Sequence, residues 1–202
     1  MNSILLAFNS QPDDSSHNFF QTCADEARQI CSTLGIEYTN KTGAELTELE
    51  VMRSMTLCSV GLFAVHGSYD AIVNEEYDDL ISARTTNYAL KGKALYTISC
   101  HCASGLLPEL RRIGISMFVG YNDEFVFTDN ESIYADCALS GFRSFLGGNS
   151  LKQAKSDMQA SFDTAIRNAE TSSNIFEKMI LLRDKEALVV EGNPELTFSE
   201  LR

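Results

Sequence analysis

A chain of 202 residues, 44% hydrophobic and 22% charged, holds enough apolar material for a substantial core and too much to stay disordered. Its 16 Lys and Arg against 28 Asp and Glu leave a net charge of −12, which argues against nucleic acid or an anionic membrane as the main partner, since both select a basic face. No apolar run approaches the roughly 18 residues of a spanning helix, and MNSILLAFNS lacks the basic start and long apolar stretch of a signal peptide, so a cytoplasmic location is expected.

Residues 3–8, SILLAF, form an apolar run of strand length, followed by a polar loop with Pro12 and Asp13 as turn formers. Phe19, Phe20, Cys23, Ala24, Ala27, Ile30, Cys31 and Leu34 fall at helical spacing, with Gly35 as the stop. IEYTNKTG reads as a short strand. Ala44 to Leu57 reads as a helix with Leu46, Leu49, Met52 and Met55 inward. SVGLFAV, residues 59–65, is a continuous apolar strand ending at His66. A polar stretch with an acidic cluster at Glu75, Glu76, Asp78 and Asp79 follows, then a short helix over 85–91 and the strand ALYTIS. LLPELRRIG reads as a short helix with Pro108 in its first turn and Gly114 as its stop. SMFVGY is another buried strand, and NDEFVFTDN a hairpin or loop. The rest is mostly helical. One helix carries Ile133, Cys137, Phe142 and Phe145, and the next starts at a Ser150–Gln153 capping box. SSNIFEKMILLRDK is a further helix, and EALVVEGNPELTF a last strand and turn.

Strands alternating with helices predict a mostly parallel sheet with helices on both faces, and the continuous apolar runs fit strands buried on both sides. A single domain over residues 1–202 is expected. In such sheets functional residues gather beyond the carboxyl ends of the strands, where His66 and Cys100 are predicted to lie. A thiol and an imidazole at neighbouring strand ends make a candidate catalytic pair. His66 would serve as general base and acid and Cys100 as nucleophile, with the backbone N–H groups of Gly67 and Cys100 as oxyanion donors. Cys102 is the alternative nucleophile. Cys100 is preferred because the apolar run stops at Ile98, which leaves Cys102 further into the turn. Cys23, Cys31, Cys58 and Cys137 sit among apolar residues and are expected to be buried, reduced thiols. Cys100-His101-Cys102 lacks a second Cys/His cluster and makes a poor zinc site, so no metal is expected. His17 and His101 are read as surface residues.

An apolar block ending in His66-Gly67, then an apolar block ending at Cys100, resembles the signature of the caspase-like cysteine peptidases, among them caspases, metacaspases, gingipains, separase and CHAT proteases. Ser99-Cys100-His101 followed by Ser104-Gly105 is similar to the Ser-Cys-His-Ser-Gly of metacaspases with two residues inserted, and GISMFVGY resembles the strand that follows in the gingipain and CHAT branch. The resemblance covers roughly residues 1–150. It implies a caspase-like three-layer α/β sandwich and a cysteine endopeptidase without cofactor. It also implies a protein or peptide substrate, control by a protein activator, and a place in bacterial defence or regulated cell death. The acidic residue that metacaspases carry before Ser-Cys is Ile98 here, so their pocket for basic residues does not carry over. Asp123 and Glu124, or the cluster at Glu75 to Asp79, are the candidates to supply an acidic pocket, against the plainer reading of solvated loops. Two other functions stand beside the peptidase: a catalytically silent protein-binding module on the same fold, and an acyl-transfer thiol enzyme.

Overall fold

The computed structural model describes residues 3–85 and 88–201. Five short strands run parallel: β1 (Ile4–Phe8), β2 (Tyr38–Thr42), β3 (Val60–Ala64), and then, beyond an antiparallel β4 (Ala71–Val73) and β5 (Asp79–Ser82) pair, β6 (Ala94–Ile98) and β7 (Met117–Tyr121). A last strand, β8 (Leu188–Gly192), pairs antiparallel with β7 and closes a six-stranded sheet in the order β2-β1-β3-β6-β7-β8. Among the described residues the helices are α1 (His17–Leu34), α2 (Glu48–Leu57), α3 (Cys102–Ile113), α4 (Glu131–Leu146), α5 (Leu151–Thr171) and α6 (Ile175–Ala187). The chain is an α/β three-layer sandwich with a mostly parallel central sheet, as the sequence predicts.

The apolar strands are continuous because each pleat feeds two cores. Ile4, Leu6, Phe8, Val60, Leu62, Ala64, Tyr96, Ile98, Met117 and Val119 face a core filled by α1, α4, α5 and α6. Leu5, Ala7, Phe63, Leu95 and Phe118 face a second core built with α2, α3 and the β4–β5 pair. Each Val, Leu, Ile, Phe or Met among them, fully withdrawn from water, contributes about 1.5–3 kcal/mol before entropy is counted, so both layers are held to the sheet by their whole inner faces. Tyr96 ties the layers further, its hydroxyl donating to Ala138 O at 2.5 Å in α4.

Local departures from the expected elements have physical causes. The helix expected from Ala44 divides into a 3-10 turn at Gly43–Glu45 and α2, whose N-cap Thr47 accepts from Glu50 N–H at 3.4 Å. Residues at three-residue spacing drift around a 3.6-residue helix, which sets Leu49 and Met55 about 120° apart. Val51, Ser54 and Met55 turn inward, and Leu49, expected inside, is 75% exposed. Helix α3 starts at Cys102, earlier than expected, which leaves Pro108 within the helix on its exposed side. Of the short helix expected over 85–91, Tyr88–Leu90 forms a 3-10 turn, while residues 86 and 87 lie outside the described residues. The 122–130 segment is a loop without strands. Ser150 caps α5 as expected, accepting from Gln153 N–H at 3.3 Å, but the Gln153 side chain donates to Asp157 Oδ1 at 2.7 Å and does not complete the expected capping box.

Candidate functional site

Four parallel strands deliver their carboxyl ends to one edge of the sheet. Ala64 of β3 and Ile98 of β6 are paired, and His66 and Cys100 each follow two residues later. The connection after β1 brings Asp14 to the same edge, and the connection after β7 brings Phe125. Since β1 leads to β2 on one side and lies beside β3 on the other, Asp14 and His66 flank the point where strand order reverses, the usual crevice of an open α/β sheet.

The backbones beyond β3 and β6 touch. A Cβ on Gly67 would lie 2.3 Å from Cys100 O and 2.8 Å from Cys100 N, so only glycine permits this approach. Gly67 bridges Ile72, but the bridge uses its neighbours: Val73 N–H donates to His66 O at 3.1 Å and Ser68 N–H to Ala71 O at 2.8 Å. Among the described residues the N–H groups of Gly67 and Cys100 therefore have no hydrogen-bond acceptor, and these are the two groups the sequence nominates as oxyanion donors. The hydroxyl of Ser99, next to Cys100 in the chain, and the side-chain amide of Asn9, whose main-chain N–H donates to Ala64 O at 3.2 Å, are buried without partners.

Asp14 is the residue that sequence reasoning misses. Its Oδ1 accepts from Ser16 N–H at 2.8 Å, fixing the turn before α1, and its Oδ2 lies 2.5 Å from His66 Nε2. A carboxylate only accepts, so Nε2 carries the proton and, in the neutral ring, Nδ1 keeps the lone pair needed by a base. The imidazole is enclosed further by Phe20, edge-on at 5.2 Å, and by Tyr77, stacked at 5.3 Å. No local pattern announces Asp14, 52 residues before His66; the readable signal is only that the first βα loop of such a sheet opens onto the site.

The two candidate thiols part company at His101. That residue takes a left-handed conformation, φ 57°, as the N-cap of α3, with its N–H donating to Asp123 O at 3.0 Å. Cys100 packs, half-buried, against the α1 and α4 core, whereas Cys102 is fully buried in the opposite core. The Cys102 sulfur sits 3.0 Å from Thr97 Oγ1 and 3.3 Å from Ser99 O, and burial pushes its thiol up to about 11. Cys102 is thus a core residue, which corrects its reading as an alternative nucleophile. Cys23, Cys31, Cys58 and Cys137 are buried and unbridged, as expected.

Cys100 itself rests with its thiol 3.9 Å from the carbonyl of Phe125, to which it donates. Burial raises its pKa and the charges of Glu124 and Asp184 add to this, while the Phe125 main chain and the Arg183 guanidinium pull it the other way. The Phe125 loop is pinned from α6. Asp184, fully buried, accepts from Val126 N–H at 3.0 Å, and Arg183 binds Asp123 Oδ1 at 3.1 Å and Glu124 Oε2 at 3.0 Å. The acidic pocket expected at Asp123 and Glu124 therefore already holds a guanidinium, which keeps the Asp123 carboxyl below its usual range. Two carboxylates of the other acidic cluster are also engaged internally. Glu75 accepts from Ser10 N–H at 2.8 Å, and both carboxylate oxygens of Asp79 accept from Arg84 Nη2, at 3.0 and 2.8 Å.

Among the described residues no group of His, Cys, Asp and Glu side chains is arranged to hold a metal ion, and no helix is long and apolar enough to cross a membrane. No family model matches the chain, and no curated protein sequence matches it.

Proposed function

We propose that the protein is a cysteine endopeptidase of the caspase-like kind, with His66 as general base and acid and Cys100 as nucleophile. The observation that supports this most is the equal register of the two residues beyond β3 and β6, with Gly67 seated against the Cys100 backbone. In the reaction the Cys100 thiol leaves Phe125 O and gives its proton to His66 Nδ1. The thiolate adds to the scissile carbonyl, and the N–H groups of Gly67 and Cys100 receive the oxyanion. His66 then protonates the leaving amine, and water, activated by the same imidazole, hydrolyses the thioester. Asp14 holds the ring and balances the imidazolium. Substrate and activator are proteins or peptides, the setting is the cytoplasm, and the activator acts by freeing the thiol from the Phe125 loop.

The bond from Cys100 to Phe125 favours a second reading, a protein-binding module whose thiol is incidental. Labelling separates the two. Peptide acyloxymethyl ketones ending in Arg, Leu or Asp are incubated with the protein, and the modified residue is located by mass spectrometry beside Cys100→Ala and His66→Ala. Modification of Cys100 that depends on His66 supports the peptidase. Modification indifferent to His66, or absent even after the Arg183 contacts are removed, supports the binding module.

A further inference from the structure

Between β4 and β5 the chain makes a turn built around one side chain. Asn74 is 8% exposed, and its Nδ2 donates to Leu46 O at 3.3 Å, anchoring the turn to the stretch before α2. Its Oδ1 accepts from Glu76 N–H at 2.9 Å and from Asp78 N–H at 2.8 Å. Main-chain bonds from Asn74 N–H to Asp78 O, 3.0 Å, and from Tyr77 N–H to Asn74 O, 3.1 Å, complete the closure.

This closure forces Tyr77 to φ 63°, a conformation that a bulky L-residue rarely takes and keeps only where surrounding structure over-determines it. A glycine or asparagine would satisfy the turn without that strain. The aromatic ring is 71% exposed, so it does not serve a core. What it does touch is the face of the His66 imidazole, with centroids 5.3 Å apart and planes at 17°. Asp14 holds the same ring at Nε2 and Phe20 stands perpendicular to it. The ring atom left for chemistry is Nδ1.

We propose that Tyr77, presented by the Asn74 turn, is a positioning residue that holds the His66 imidazole in the plane from which Nδ1 meets the Cys100 thiol. The proposal rests on the peptidase reading and adds a residue that its motifs do not contain. An aromatic face also favours the imidazolium that forms when the thiol yields its proton. The turn keeps this support in place before substrate arrives, which is how a site on a loop acquires the rigidity of a site on a strand.

The test compares Tyr77→Phe, Tyr77→Gly and Asn74→Ala with the parent protein and with His66→Ala. Glycine relieves the backbone strain and removes the ring, so a loss in Tyr77→Gly belongs to the ring. Two readouts are taken: the rate of Cys100 alkylation by iodoacetamide, and kcat and KM on a peptide that the parent protein cleaves. Tyr77→Phe should stay within about twofold, while Tyr77→Gly should lose roughly tenfold or more in kcat with KM little changed, as for an interaction made in the transition state. Asn74→Ala should fall between them, and the alkylation rates should follow the same order. A raised KM at unchanged kcat would make Tyr77 a wall of the substrate cleft and overturn the proposal. So would an alkylation rate that depends on His66 but not on Tyr77, with the peptidase reading left standing. An alkylation rate equal in the parent protein and in His66→Ala removes the dyad and the proposal together.

Discussion

The buried carboxyl of Asp184 yields a stability prediction with a definite sign. Burial pushes it up from 3.8 to about 8, against weaker downward pulls from the Val126 N–H and Arg183, while Asp123 adds to the rise. Its Oδ2 is buried with no hydrogen-bond partner. The folded protein therefore keeps a proton that the unfolded chain releases across this window. The stability linked to Asp184 is fully present below the ordinary carboxylate pKa and is lost as pH rises toward 8, by about 1.4 kcal/mol per pH unit. Between about pH 5 and pH 8 the cost is thus on the order of 2–4 kcal/mol, allowing for relaxation of the buried site. Asp184→Asn retains an oxygen to accept from Val126 and cannot ionise. Urea unfolding of both proteins at several pH values in that window measures the difference, with linear extrapolation to water. The advantage of Asp184→Asn should grow steadily with pH and level off near pH 8. Stability curves that stay parallel across the window would refute the reasoning.

Gly67→Ala puts a methyl group against the Cys100 backbone, which cannot swing aside as a flexible side chain would. Stability should fall by roughly 1–3 kcal/mol in urea titration and labelling of Cys100 should collapse; native-like behaviour in both would show that the two strand ends are not locked together. Asp14→Asn should reduce peptide cleavage by roughly 10²-fold or more at unchanged fold, since the amide no longer balances the imidazolium; a rate within a factor of about two would remove Asp14 from the site. Cys102→Ala leaves the buried Thr97 hydroxyl without its sulfur partner and should cost roughly 1–3 kcal/mol while Cys100 alkylation persists. Arg183→Ala should raise the Cys100 alkylation rate severalfold by loosening the Phe125 loop, and an unchanged rate would mean that the loop is held by Asp184 alone.

The frame of the site was legible because its strands carry uninterrupted apolar runs. GLFAV and ALYTI are buried at every position, which makes the strand ends, and so His66 and Cys100, easy to place. The β4–β5 pair was not legible, since AIV and DLIS are short and separated by acidic residues that look like a solvated loop. Leu49 misled because a strict three-residue spacing drifts around the helix, and the buried face follows Val51, Ser54 and Met55 instead. Asp14 and Phe125 reach the site through tertiary placement alone. Asp184 carried a readable sign: it falls at helical spacing with the buried Ile180, Leu181 and Ala187, on a stripe where an ionisable residue is out of place. Among the pairs found at the site, Arg183 with Asp123 and Glu124 spans some 60 residues, and no local pattern couples them.

The left-handed turn at His101 has a consequence for oxidative chemistry. By sending the Cys100 and Cys102 sulfurs to opposite faces of the sheet, it keeps two thiols one residue apart from reaching each other. A peroxide that converts Cys100 to a sulfenic acid meets no resolving thiol at Cys102, so the oxidised sulfur is open to small thiols from solution, such as glutathione, or to further oxidation. Recovery after oxidative stress would then depend on the reductants of the compartment, with no internal disulfide at this turn to shelter the sulfur.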